Sequence, residues 1–297
     1  HRLRKFNKPQ WDGSPLNGKT ILIHAEQGFG DTIQFIRYLP MVQAQGGNVV
    51  FECHKSLIRL LRNYEGIDKL IERVPKPDIE FDTQLPILSL PGIFDTTADS
   101  IPSDTPYITS DQGLSQLFSL RFGTDYNFKI GIAWAGNSDN KKNHIRSCAL
   151  ADFNPLLDIQ GISFYSIQKG PASVEADSTL REMKIINLSN QIKDFADTAA
   201  VVSNLDLIIS VDTAVVHLAG ALGKPVWNLI HFAPDWRWLL NRDDSPWYPE
   251  MRLFRQTKSN DWTTVFKRVK EALLQIVNDS RTVTTEFNEN TLQHSIS

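Results

Sequence analysis

Short β-branched runs alternate with amphipathic stretches twice along this chain, and that pattern most limits what it can fold into. Residues 20–24 (Thr-Ile-Leu-Ile-His) read as a buried parallel strand running into a glycine-containing loop. Asp31 then opens an amphipathic stretch with Ile33, Phe35, Ile36 and Leu39 apolar, which Pro40 is expected to kink or cut short. A strand over 48–53, a helix over 55–64 and strand-like pieces at 69–74, 81–83 and 87–90 complete the first set. A polar segment at 96–106 and a short helix at 112–122 separate it from the second. The second set has strands at 128–134, 163–168, 184–187, 207–211 and 226–230, with helices at 194–203 and 213–222. A long amphipathic helix is expected over 261–277, where Val265, Val269, Leu273 and Ile276 share one face.

Such βαβ alternation is the signature of α/β domains, and 297 residues suffice for two. The expected division is a first domain at 1–110, a linker with a helix at 111–127, a second domain at 128–256 and a final helix at 257–278. Residues 279–297 are polar, lack a period and read as a frayed tail; the basic, polar first ten residues read as a connector.

Composition narrows the partners. Lys plus Arg is 31 and Asp plus Glu 34, a formal charge of −3, so there is no general attraction for nucleic acid or an anionic membrane. No apolar run reaches the ~18 residues of a transmembrane span. Two cysteines, Cys53 and Cys148, are too few for a disulfide scaffold or a cysteine zinc site, which favours a reducing, cytoplasmic setting. The chain starts at His1 without a signal-peptide pattern, as expected of part of a longer product.

Ligands of open parallel sheets bind beyond the C-terminal ends of the strands, so the loops there should carry the chemistry. The first is His24-Ala25-Glu26-Gln27-Gly28-Phe29-Gly30-Asp31, where Gly28 and Gly30 allow a close backbone approach. Glu52 stands where a dinucleotide site keeps its ribose acid, but the third small residue of that fingerprint is replaced by Ile33. A P-loop is excluded because no Gly-Lys-Ser/Thr closes the loop. Asp31 is either a helix N-cap or a general base, with Glu26 and His24 as rivals for the base; His24 also reads as a satisfied histidine at a strand end.

The second loop follows the strand 207–211 and runs Asp212-Thr213-Ala214-Val215-Val216-His217. Thr213 and His217 are four apart at the start of a helix, where free amides and the dipole attract anions. A phosphate there would meet loop amides, the Thr213 hydroxyl and His217, with Asp212 orienting the loop; the plainer reading is an ordinary capped helix. Four of the seven tryptophans lie between Trp227 and Trp247. They read either as an aromatic plug or as a rim where Trp236 or Arg237 meets a sugar or base.

Gly30-Asp31, Asp212-Thr213-Ala214 and His217-Leu218-Ala219 together resemble glycosyltransferase family 9, which includes the ADP-heptose heptosyltransferases. Asp235-Trp236-Arg237-Trp238 and Ser245-Pro246-Trp247-Tyr248-Pro249 are similar to glycosyltransferase-like C-terminal domains of bacterial tetratricopeptide-repeat proteins. The resemblance spans about residues 11–277. It implies a GT-B fold: two Rossmann-like domains facing a cleft, with the last helix crossing back to the first domain. It places the catalytic base on Asp31 and the donor diphosphate on the Asp212, Thr213, Ala214, His217 loop. Ala214 stands where heptosyltransferases have glycine. It also implies a cation after the first strand of the second domain, here Lys142 or Arg146 beyond Trp134. Gln168 falls where such folds read the nucleotide base. No metal or other cofactor is implied.

The expected activity is transfer of a sugar from a nucleotide diphosphate sugar, with inversion, to an unknown glycan, lipid-linked or protein acceptor. Upstream tetratricopeptide repeats are a possible part of the longer product. The alternatives are a non-catalytic binding or interaction module on the same fold and a nucleotide-sugar epimerase.

Overall fold

The computed structural model describes residue 4 and residues 6–75, 77–137 and 143–294, with side chains as far as residue 279. Two parallel sheets form. The first contains β1 (Thr20–His24), β2 (Asn48–Cys53), β3 (Lys69–Glu72) and β4 (Thr83–Pro86) in the order β3-β2-β1-β4. The second contains β5 (Phe128–Ala133), β6 (Ile162–Ser166), β7 (Ile186–Asn187), β8 (Leu207–Val211), β9 (Val226–Ile230) and β10 (Met251–Arg255), ordered β10-β9-β8-β5-β6-β7. In both, the first strand in sequence is central and the order reverses beside it. Such a switch point opens a crevice at the C-terminal strand ends.

Strand side chains alternate between faces, and the two faces of the first sheet have different partners. Ile21, Ile23, Val49 and Phe51 enter a large core shared by both domains, which also takes in Val216, Ala219, Trp238 and Tyr248. The buried polar residues His24, Glu52 and Gln84 lie out of that register. The expected connector covers them as a strap: Arg4 pairs with Glu52, the Phe6 ring lies 5.0 Å from the His24 ring, and Gln10 bridges to Gln84.

Pro40 interrupts its helix as expected. The helix Phe29–Phe35 passes through a 3₁₀ turn, Ile36–Tyr38, into a helix Leu39–Gln43. Pro40 sits in the first turn of that last piece, where its missing N–H costs little. The 87–90 piece is not a strand: Ile87–Ser89 is 3₁₀ and Leu90–Ile93 α-helical, an ambiguity inherent in short apolar runs. Strand β10 escaped the sequence reading because Arg252 and Arg255 interrupt its apolar residues.

The final helix differs most. It runs Trp262–His294, so residues read as a frayed tail are helical as far as His294. Once nucleated on a packed segment, a helix extends at little cost per residue. Its buried face, Val265, Phe266, Val269 and Leu273, packs with Phe153, Ile132 and Trp227 in the second domain's own core. The expectation that this helix returns to the first domain is therefore corrected: its apolar stripe is used up on the outer face of the second sheet.

Candidate active site

The two domains meet through the starts of two helices. Phe29–Phe35 follows β1, and Ala214–Ala221 follows β8; they pack against each other across the cleft. Gly30 makes this approach possible, because a Cβ there would lie 2.7 Å from His217 Cδ2 and 3.5 Å from Ala214 Cα. The glycine therefore serves helix–helix contact. One turn beyond His217 on the second helix, Gly220 admits the Tyr248 ring, which a Cβ would meet at 2.4 Å. His217 is held between these groups: Nδ1 lies 3.0 Å from Tyr248 Oη, and the ring stacks on Trp238 at 5.4 Å. Burial, with the charges of Arg237, Arg37 and Arg146, drives its pKa well below the usual imidazole value, so it is neutral. The expected direct hold of His217 on a phosphate is not what this buried packing shows; the ring spaces the two helices.

The N-cap of the first helix is Gly28, so the expectation that Asp31 itself is the N-cap is corrected: it stands three residues on, at N3, and supports the cap from there. Its Oδ2 accepts the Gly28 N–H at 2.9 Å, half of a capping box. Its Oδ1 reaches the cleft and forms an ion pair with Arg237 of the second domain. The carboxylate side chain keeps 23% exposure, whereas Arg237 keeps 9%. Arg237 also donates from Nε to Gln34 Oε1 at 2.7 Å and from Nη1 to Asp235 Oδ1 at 2.8 Å. Its guanidinium lies 5.4 Å from the Phe35 ring and 5.0 Å from the Trp236 ring. Trp238 and Trp247 are buried plug residues, while Trp236 is 59% exposed at the rim. The plug reading thus holds for Trp238 and Trp247, while Trp236 lies open to solvent.

At the end of β8, Thr213 caps the second helix, its hydroxyl accepting the Val215 N–H at 3.4 Å. Asp212 is buried beside it, and burial raises its carboxyl above the usual range against the charges of Arg146 and Arg237. The Trp238 indole N–H is near that carboxylate without making a hydrogen bond. Arg146 lies against the Gly136 backbone, where a Cβ would meet Nη2 at 2.8 Å. Its Nε is buried and has no hydrogen-bond partner among the described residues. The charges of two arginines, Arg146 and Arg237, are thus felt at the Thr213 helix end, by Asp212 and by His217. Lys142 lies outside the described residues.

The other candidates divide plainly. Gln168 is fully occupied: Oε1 accepts from the Trp134 and Ala135 N–H groups at 3.0 and 2.9 Å, and Nε2 donates to the Ala135 and Lys169 carbonyls at 3.0 and 2.9 Å. It latches the loop after β5 and has no amide hydrogen left for a base. Trp134 is core, 5% exposed. These two are corrections: burial and saturated hydrogen bonds give them structural work. Gln27 and Gly28 are exposed on the cleft loop. Glu26 accepts the Leu88 N–H at 3.2 Å through Oε1, while Oε2 is buried and has no partner among the described residues. Burial raises its pKa, and the neighbouring Asp31 charge adds to the rise. His24 is a satisfied histidine, 3.1 Å from Gln84 Oε1, with a pKa lowered by burial to about 4.

Several site residues lay outside the sequence reading. Gln34 faces Arg237 from within an apolar helix, and Arg37 donates to the Trp247 carbonyl at 2.9 Å and the Tyr107 hydroxyl at 2.8 Å. The available signal was a lone polar residue on each of two apolar turns, Ile33-Gln34-Phe35 and Ile36-Arg37-Tyr38.

Comparison with known proteins agrees with this fold. The sequence profile of glycosyltransferase family 9 (heptosyltransferase) matches residues 165–232, which include β8 and the Thr213 helix. Protein FlbA of Caulobacter vibrioides is 27% identical over 293 residues, covering 89% of this chain. The chain spans about half, 48%, of that relative's length. Among solved structures, a family 9 glycosyl transferase from Veillonella parvula aligns with a TM-score of 0.62 at 13% identity, covering 83% of this chain and 88% of its own. The ADP-heptose lps heptosyltransferase II of E. coli aligns with a TM-score of 0.65 at 12% identity, covering 88% and 99%. The chain thus resembles glycosyltransferase family 9 in the sequence of its second domain and has, across both domains, the GT-B fold of the heptosyltransferases.

Proposed function

We propose that the chain transfers a sugar from a nucleotide diphosphate sugar to an acceptor hydroxyl. One observation carries the reading: a carboxylate of the first domain, Asp31, faces across the cleft a helix end of the second domain flanked by Arg146 and Arg237. A base and an anion site must sit on opposite sides of the sugar for inverting transfer. In the reaction, Asp31 takes the proton of the acceptor hydroxyl, and that oxygen bonds to the anomeric carbon. The bond from that carbon to the β-phosphate oxygen breaks, and its electron pair leaves with the diphosphate. Arg146, Arg237, the Thr213 hydroxyl and the amides of the helix end stabilise that leaving charge. Two arginines at this place supply the charge that a divalent cation supplies elsewhere, so no metal enters the proposal.

Glu26 is the second reading for the base, on a specific observation: its Oε2 is buried, without a partner among the described residues, and beside Asp31. A cytoplasmic setting remains part of the proposal, supported by two free, buried cysteines. Upstream tetratricopeptide repeats also remain part of it, on the likeness of the Asp235–Trp238 and Ser245–Pro249 segments to the domains that follow such repeats. Among the described residues, no helix is long and apolar enough to cross a membrane.

The test is a screen of ADP-, UDP- and GDP-sugars for binding, hydrolysis and transfer, using the chain with its longer native context. Absence of all three sinks the reading. An isomerised sugar nucleotide without acceptor would favour an epimerase instead. Unimpaired biological function of Asp31→Asn would favour a binding module.

A further inference from the structure

Arg237 stands apart among the cations of the site, because it is held by the carboxylate that the proposed reaction needs free. Three of its five N–H groups are engaged, by Gln34, Asp235 and Asp31. Two of these partners, Gln34 and Asp31, belong to the first domain, so the side chain spans the cleft. The guanidinium is nearly buried, yet it influences both Asp212 and His217 at the start of the second helix. It therefore touches the base and lies near enough to the anion site for its charge to be felt there. Asp31 offers it one carboxylate oxygen and spends the other on the Gly28 N–H. An incoming diphosphate carries more charge and more acceptor oxygens than that single carboxylate contact. A planar guanidinium also prefers bidentate anions.

We propose that Arg237 is a ligand of the donor diphosphate, held in reserve on Asp31, so that donor binding transfers the guanidinium from carboxylate to phosphate and frees the base. This rests on the glycosyltransferase reading. The base is thus masked until the leaving group is in place, which limits acceptor deprotonation without donor. Asp235 stays on the other side of the guanidinium as its tether, and Gln34 sets the guanidinium plane through Nε.

The experiment measures binding of ADP, UDP and GDP to this chain by calorimetry, for wild type, Asp31→Asn, Arg237→Ala, Arg237→Lys and the double variant Asp31→Asn/Arg237→Ala, with thermal unfolding as a check on folding. Asp31→Asn is expected to bind the preferred diphosphate about tenfold more tightly, because the competing carboxylate is gone. Arg237→Ala is expected to bind about tenfold or more weakly, and Arg237→Lys about threefold more weakly, since it keeps the charge and loses the fork. The double variant should match Arg237→Ala within about twofold, because Asp31 acts through Arg237. Wild-type affinity in both Arg237 variants overturns the proposal. So does an equal gain from Asp31→Asn in the Arg237→Ala background, which would mean direct repulsion between Asp31 and ligand. If Arg237→Ala does not fold, the same cycle built on Arg237→Lys decides, with wild-type affinity in that variant overturning the proposal. Failure of every nucleoside diphosphate to bind wild type and Asp31→Asn alike overturns the glycosyltransferase reading as well, which separates the two failures.

Discussion

Gly30 of the first domain faces His217 of the second so closely that a Cβ on the glycine would lie 2.7 Å from the histidine Cδ2. The ring cannot easily yield, since Tyr248 holds Nδ1 and Trp238 stacks on its face. Gly30→Ala should therefore destabilise the protein by about 1–3 kcal/mol through overpacking. His217→Ala should partly relieve that penalty in the double variant. Thermal unfolding of the two single variants and the double variant measures it; strict additivity would mean that the two residues do not press on each other.

Asp31 and Glu26 compete for the role of base, and their variants separate them. Asp31→Asn keeps the cap on Gly28 and should lose about 10²–10⁴ in transfer rate. Glu26→Gln should leave most of the rate, because its Oε1 still has an acceptor's job at Leu88. The reverse ranking in single-turnover assays with saturating donor would move the base to Glu26.

Gln168 makes four hydrogen bonds, three to the loop after β5 and one to the Lys169 carbonyl, so its replacement should act on stability and leave base preference alone. Gln168→Ala is expected to cost about 2–4 kcal/mol, because two buried N–H groups and two carbonyls lose their partner. The order of affinity among ADP, UDP and GDP should stay that of wild type. A changed order at preserved stability would restore Gln168 as a reader of the base.

His24 links stability to pH. Its imidazole titrates near 6.5 unfolded and at about 4 folded, because burial disfavours the charged form. Between those values the unfolded chain binds the extra proton, so stability is lost as pH falls from about 6.5 towards 4. The full swing is on the order of 3–4 kcal/mol at most for this one group. Neutral His217 adds in the same direction. His24→Gln should flatten the fall in urea midpoints over that range; an unchanged slope would place the titration elsewhere.

Much of this protein is already written in its sequence. The doubled alternation of β-branched runs and amphipathic stretches set two parallel α/β domains, because buried strands and their covering helices need those periods. β8 and β9 fall on the expected residues. The motif Gly-Asp and the Asp-Thr-Ala loop lie at the switch points, since strand ends are local features. Where an interaction is long-range, the sequence is silent. What Asp31 meets across the cleft, which tryptophan is rim and which is plug, and that Gln168 turns inward all depend on partners distant in the chain. The Asp31–Arg237 pair joins residues 206 apart. No periodicity encodes such a meeting; it follows from how closely Gly30 lets one helix approach another, and only the packed tertiary structure decides that distance.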